Sequence, residues 1–300
     1  MANSNTGYAD RQRTLRAVGA VARRQAISRM SRYVLLGASL IGVAALLYLG
    51  IETMLKGWDR LSWDFLTNYP SRFAEQAGLR SSIFGWVWVL GLTIVLAIPI
   101  AVATAICIEE FAPDNILTTI AKLNLANLAG VPSIIYGILG LAVFARGLGF
   151  GPSILTGSLT LSLMILPMTV IASQEAIRQV PPSIRQGSLA LGATQWQTVW
   201  HHVLPGALPG ILTGVILAVS RAAGETAALI MIGAFTFIAF DNTSVFEDFT
   251  TVPVQIYNWT IRPQEAFRQN AAAAIIVLMA AILAMNLLAA IIRERFRQHF

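Results

Sequence analysis

Arg221 and Glu225 stand four residues apart in a run, 211–240, that is otherwise almost wholly apolar. On a helix that spacing places both side chains on one face, close enough to pair. Two kinds of chemistry are open to them. They can neutralise each other and fix the register of the helix. Alternatively they line an aqueous path, because a charge at bilayer depth costs about 2.5–3.5 kcal/mol or more and as a rule faces a bundle interior or water. The path reading is the stronger one.

Other chemistries find little support. The three histidines (His201, His202, His299) contain no HExxH pattern, and the adjacent His201 and His202 point in different directions, so no metal site is expected. Cys107 is the single cysteine, which rules out a disulfide within the chain. Neither lysine, Lys56 or Lys122, follows a glycine, so there is no phosphate-binding loop, and any ATP and Mg must be bound by a partner chain. No nucleophile, base or metal cage gathers at membrane depth, which argues against a membrane enzyme.

The elements that must position these charges follow from composition. The chain is 56 % hydrophobic and 12 % charged, where soluble proteins carry about 25 % charged residues. Six runs can cross the hydrocarbon layer, which takes about 20 apolar residues: 34–55, 83–108, 116–145, 154–172, 206–240 and 271–292. The expectation is an all-α polytopic membrane protein. Seven arginines (Arg11, Arg13, Arg16, Arg23, Arg24, Arg29, Arg32) crowd the first 32 residues. With the basic C-terminal end they place both termini in the cytoplasm. The net charge of +6 thus reads as membrane orientation, not as a nucleic-acid surface. The expected parts are a basic cytoplasmic tail (1–32), a first transmembrane helix with its external loop (33–80), a core of the remaining crossings (81–293) and a C-terminal cytoplasmic tail (294–300). Run 206–240 is too long for one crossing at 1.5 Å per residue, and Gly224 is its expected weak point. Glu109 and Glu110 read as a solvated flank. Tyr257 and Trp259 read as interface anchors or as part of a partner-facing loop.

The polar stretch 174–205 reads as a pair of short helices. Ser183 can cap the first and Gly192 fits a left-handed stop. Thr194 can cap the second, which Pro205 closes. Trp196 and Trp200 share one face, and Val199 and Val203 add an apolar strip. Such a hairpin either docks in a groove of a partner or lies on the headgroups as an amphipathic segment.

Gly192, nine further residues, His202 and then Leu204-Pro205 resemble the EAA loop of ABC-importer permeases. Gln186-Gly187-Ser188 stands in this chain where the family has Glu-Ala-Ala, and His202 where it has Ile. Five further segments resemble PstA-type permeases of phosphate-specific importers: Glu109–Pro113, Asn127–Gly137, Arg221–Thr226, Val252–Trp259 with Arg262-Pro263, and Arg293–Phe296. The resemblance covers about residues 80–300. It implies the type I ABC-importer permease fold with six transmembrane helices, in a bacterial inner membrane. It also implies a PstC-like sibling permease, two copies of a cytoplasmic ATPase on the coupling loops, and a periplasmic phosphate-binding protein. The chain itself would be non-catalytic and hold no cofactor. On that footing Arg221 offers its planar fork to phosphate, and Glu225 competes for Arg221 so that the ion is released. Gln186, Gly187, Ser188, Gly192, His202, Leu204 and Pro205 form the ATPase-coupling loop. A permease for another oxyanion, such as molybdate or phosphonate, is the alternative, and a channel or membrane enzyme stands further off.

Overall fold

A computed structural model describes residues 20–234 and 236–295. The sequence readings that fall on residues 1–19 and 296–300 lie outside them. The described chain is built of helices: α1 (Ala20–Gly57), α2 (Trp63–Thr67), α3 (Arg80–Ile106), α4 (Ile116–Ala129), α5 (Ser133–Gly140), α6 (Ile154–Arg178), α7 (Pro182–Ala190), α8 (Gln195–Thr198), α9 (Leu204–Ala223), α10 (Ala227–Met231), α11 (Val252–Thr260) and α12 (Glu265–Arg295). Three wider, π-type turns, Cys107–Phe111, Leu141–Gly147 and Val199–Val203, continue α3 and α5 and join α8 to α9. A single antiparallel bridge, Ser153 to Asp248, is the β-type pairing among the described residues.

Five helical stretches are long and apolar enough to cross a membrane. A sixth arises if α4 and the α5 stretch, bent by 100° at residues 130–132, count as one span. The six expected crossings are therefore present, with the third broken. Pro132 explains the break, since it cannot donate to a continuing helix and biases Val131 away from helical backbone.

The described residues up to Thr53 and those from Met54 onward form separate compact units. In the first, α1 displays apolar side chains such as Leu35, Leu40, Ile41 and Leu46 to its surroundings. Its 38 residues reach about 57 Å at 1.5 Å per residue, well beyond a hydrocarbon layer of about 30 Å.

The second unit is organised around α6, which packs between α3 and α9. One cluster joins Val89, Leu161, Ile165, Ala218 and Leu229, and another joins Ala101, Val170, Ile177, Val203 and Ile211. Small residues allow the close crossing: Gly210 faces Ala176 and Gly214 faces Ala172. Helix α6 is rich in buried hydroxyls, several of which bond nearby backbone carbonyls, while Ser162 reaches Thr93 O of α3 at 3.5 Å and Ser173 Oγ has no protein partner among the described residues. Ser158, Thr160 and Thr169 each donate to the carbonyl four residues earlier, at 2.7–2.8 Å. Thr156 donates to Gly151 O at 2.8 Å. A third cluster buries Trp259 completely against Phe65, with ring centroids 5.8 Å apart. Trp259 is thus a core residue packed where α2, α11 and α12 meet and not an interface anchor, while Tyr257 is exposed.

At the N-terminal end of α3, Arg80 grips Asp241 through both Nε and Nη2, at 2.5–3.1 Å. These hydrogen bonds hold the Asp241 carboxyl below the usual carboxylate range. A folded-state value below the unfolded one stabilises above the unfolded pKa of about 3.9, and the contribution vanishes as pH falls through the lower folded value. Both side chains are partly solvated, so the pair is a surface contact of small effect. Asp241→Asn is expected to lower the Tm of the purified protein by about 1–3 °C at pH 7. That difference should close below about pH 4, as calorimetry at several pH values will show.

Candidate functional site

Helix α9 stops at Ala223, and its end is held by a side chain from another helix. Trp86 on α3 donates its indole Nε1–H to Ala223 O at 2.8 Å, satisfying a carbonyl that the helix end leaves free. Ser220, one turn earlier, donates to Ile216 O at 2.7 Å and pairs with Asn286 Oδ1 of α12 at 2.6 Å. Gly224 caps the helix, so the weak point expected there is real.

The break separates the two charges. Glu225 lies two residues past the last helical residue, and its Oε1 accepts the Ala228 N–H of α10 at 3.2 Å. Arg221 is exposed, with Nη1 at 3.9 Å from Met168 Sδ on α6. The ion pairs among the described residues do not include one between Arg221 and Glu225. The expected i, i+4 pair therefore does not form here. The carboxylate instead takes the nearest free N–H at the start of a helix, where a negative charge is favoured, and the guanidinium keeps its fork open.

Two stretches distant in sequence meet beside this break. Tyr136 donates its hydroxyl to Leu128 O at 2.8 Å and so closes the α4–α5 bend. Gly137 lies flat against α10: a Cβ on it would come to 2.7 Å from Ala228 O and 2.9 Å from Met231 Cβ. Segments 127–137 and 221–231 thus form one local assembly.

At the other end of α9 stands the hairpin. Gly192 adopts φ +88 after α7, and Gly192 and Ala193 donate to Leu189 O and Ser188 O at 3.0 and 3.2 Å. That is the left-handed stop the sequence indicated. Thr194 and Gln197 form a reciprocal capping box at the start of α8. Two expectations fail. Pro181, not Ser183, occupies the cap position of α7. Pro205 does not end α8; the π turn Val199–Val203 carries the helix on into α9, making one run from Gln195 to Ala223. Of the coupling residues, Gln186, Gly187, Gly192 and His202 are exposed, and Leu204 and Pro205 are half-buried. Ser188 turns inward to share a hydrogen bond with Thr198 at 2.9 Å. Trp196 and Trp200 stack at 5.9 Å and remain 59 % and 53 % exposed.

Glu109 and Glu110 are not a solvated flank. Their side chains are only 10 % and 8 % exposed. Glu109 receives a two-pronged grip from Arg178 at 2.7 and 2.8 Å, and Lys122 Nζ lies at 3.3 Å. Glu110 accepts from Arg185 Nη2 and Nε at 2.7 and 3.1 Å. Arg185 also donates to Val180 O and Ile177 O, at 2.7 and 2.9 Å. The Gln195 side chain donates to Glu110 O, and Phe111 packs on Trp196 at 5.9 Å.

Residues 97–298 match the family described as binding-protein-dependent transport system inner membrane component. The chain belongs to that family. It is similar to the probable ABC transporter permease YqgI of Bacillus subtilis, at 32 % identity over 250 residues, covering 79 % of this chain and 84 % of that one. It is similar also to phosphate transport system permease protein PstA 1 of Mycobacterium tuberculosis, at 28 % identity over 225 residues, covering 75 % and 71 %. Among solved structures, a chain of a bacterial ABC transporter involved in the import of the acidic polysaccharide alginate shares the fold, with TM-score 0.64 and 16 % identity over 91 % of this chain and 100 % of that one. The chain is thus a multi-pass ABC-importer permease, non-catalytic in itself, and ATP hydrolysis belongs to a partner chain.

Proposed function

We propose that this permease carries inorganic phosphate across the bacterial inner membrane as one half of an ATP-driven import path. The observation that carries the reading is the open guanidinium of Arg221 at a helix break, with no protein carboxylate paired to it among the described residues. A planar fork of this kind suits a tetrahedral oxyanion, which can accept two parallel hydrogen bonds. The likeness to PstA permeases supports phosphate as that oxyanion. Glu225, held on Ala228, keeps a negative charge near the break and weakens the attraction that Arg221 exerts on a passing anion.

The remaining parts follow from the same reading. A PstC-like sibling supplies the other half of the path. Two copies of an ATPase, binding ATP and Mg, dock on the coupling loops, and a periplasmic phosphate-binding protein delivers the ion. Both termini lie in the cytoplasm, consistent with arginines Arg23, Arg24, Arg29 and Arg32 at the start of α1. The exposed Trp196, Trp200 and Leu191 give the hairpin an apolar tip for the ATPase.

The test is reconstitution of the four components in proteoliposomes. Phosphate should stimulate ATP hydrolysis and accumulate inside, while molybdate and a phosphonate should do neither. Equal or stronger stimulation by molybdate or the phosphonate overturns the substrate assignment.

A further inference from the structure

We infer that Glu109 and Glu110 are positioning residues for energy coupling: they lock the docking hairpin to the bundle, so that motion of the ATPase moves α9 and the Arg221 break. This rests on the reading that the hairpin docks the ATPase.

The geometry is specific. Three consecutive residues of one wide turn, Glu109, Glu110 and Phe111, hold four different elements. Glu109 takes Arg178 at the end of α6 and Lys122 of α4. The Glu110 carboxylate takes Arg185 of α7, and its carbonyl takes Gln195 at the start of α8. Phe111 packs on Trp196. An ordinary α turn sets successive side chains about 100° apart. The π turn, with more residues per revolution, narrows that step and lets neighbouring carboxylates serve neighbouring partners.

A helical pair tied to the membrane only through its own two chain ends would swivel when pushed. Here α7 is fastened sideways by a two-pronged arginine–carboxylate contact, a geometry that resists rotation as well as separation. Arg185 adds bonds to the carbonyls of Ile177 and Val180 and so welds the α6–α7 corner. The second hairpin helix needs no separate link, being one helix with α9 from Gln195 to Ala223. A displacement applied at Trp196 and Trp200 is thereby shared by the hairpin, α3 and α6 as one body and delivered along α9 to Gly224.

The experiment uses the assembled transporter carrying Glu110→Gln, Arg185→Gln, or the charge exchange Glu110→Arg with Arg185→Glu. Three quantities are read: co-purification of the ATPase, ATP hydrolysis, and phosphate taken up per ATP hydrolysed. Each single variant should retain the ATPase and hydrolysis while uptake per ATP falls about tenfold, within the usual range for a coupling free energy. The exchange should restore part of it, since it rebuilds the ion pair but not the bonds from residue 185 to the Ile177 and Val180 carbonyls. Unchanged uptake per ATP in both single variants overturns the proposal. So does a loss of assembly that the exchange leaves uncorrected, which assigns the pair to folding alone.

A second readout is independent of the substrate. In a Cys107→Ser background, Gly224→Cys adds a Cβ with nothing nearer than Arg221 O at 4.0 Å. Its labelling rate by a charged thiol reagent should respond to ATP in the otherwise unaltered transporter and lose that response with Glu110→Gln. If the wild type fails to move phosphate but shows the ATP response, the substrate reading falls and the lock stands. A response that survives Glu110→Gln overturns the lock whatever the substrate.

Discussion

Arg221→Gln is expected to lower phosphate uptake by the assembled transporter about a hundredfold. Hydrogen bonds to charged groups contribute about 1.5–3 kcal/mol each, and every 1.4 kcal/mol is about a factor of ten. Assembly should survive, because within this chain the guanidinium makes only a soft contact with Met168 and sits on no buried carboxylate. Arg221→Lys should fall between the two, keeping the charge and losing the planar fork. Uptake assays on complexes checked for subunit content decide the matter. Normal uptake by an intact Arg221→Gln complex ends the role in the path, and failure to assemble makes the residue a structural one.

An effect of similar size is expected at Gly137, which touches no ion. Its Cα lies so close to α10 that a Cβ would sit 2.7 Å from Ala228 O, about 1 Å inside normal contact. Gly137→Val must push α10 away from α5, and Ala228 carries the N–H that holds Glu225. Overpacking of this kind costs about 1–3 kcal/mol or more, and here the strain falls on the segment that shapes the helix break. Uptake should drop at least about tenfold, with a lowered Tm. Gly224→Ala serves as the contrast, since its new methyl meets open space. Wild-type uptake from Gly137→Val contradicts the assembly of segments 127–137 and 221–231 as a working unit.

Much of this architecture was legible beforehand because membrane helices announce themselves by composition. The six crossings, the weak point at Gly224, the left-handed Gly192 and the Thr194 cap all rest on local rules, and local rules need only local sequence. What escaped notice depends on geometry. Pro205 looked like a stop, yet a preceding π turn makes room for its ring and tolerates the missing N–H. Arg221 and Glu225 looked like a helical pair, but the helix ended between them and the carboxylate found a nearer donor. Glu109 and Glu110 looked solvated because the arginines that grip them lie 69 and 75 residues further along, and no pattern within one sequence ties such partners together. The complete burial of Trp259 against Phe65 was hidden for the same reason.

The hydroxyls of α6 bear on a hazard that any coupled importer faces. Between Thr156 and Thr169 the helix carries five hydroxyl side chains among fourteen residues, and a file of free hydroxyls there would conduct water and protons and drain the gradient across the membrane. Four of these side chains, Thr156, Ser158, Thr160 and Thr169, commit their protons to backbone carbonyls at 2.7–2.8 Å. To a passing water molecule those four positions offer no spare donor. Along this stretch those four hydroxyl protons stay with the protein's own backbone and are withheld from any water that enters the bundle.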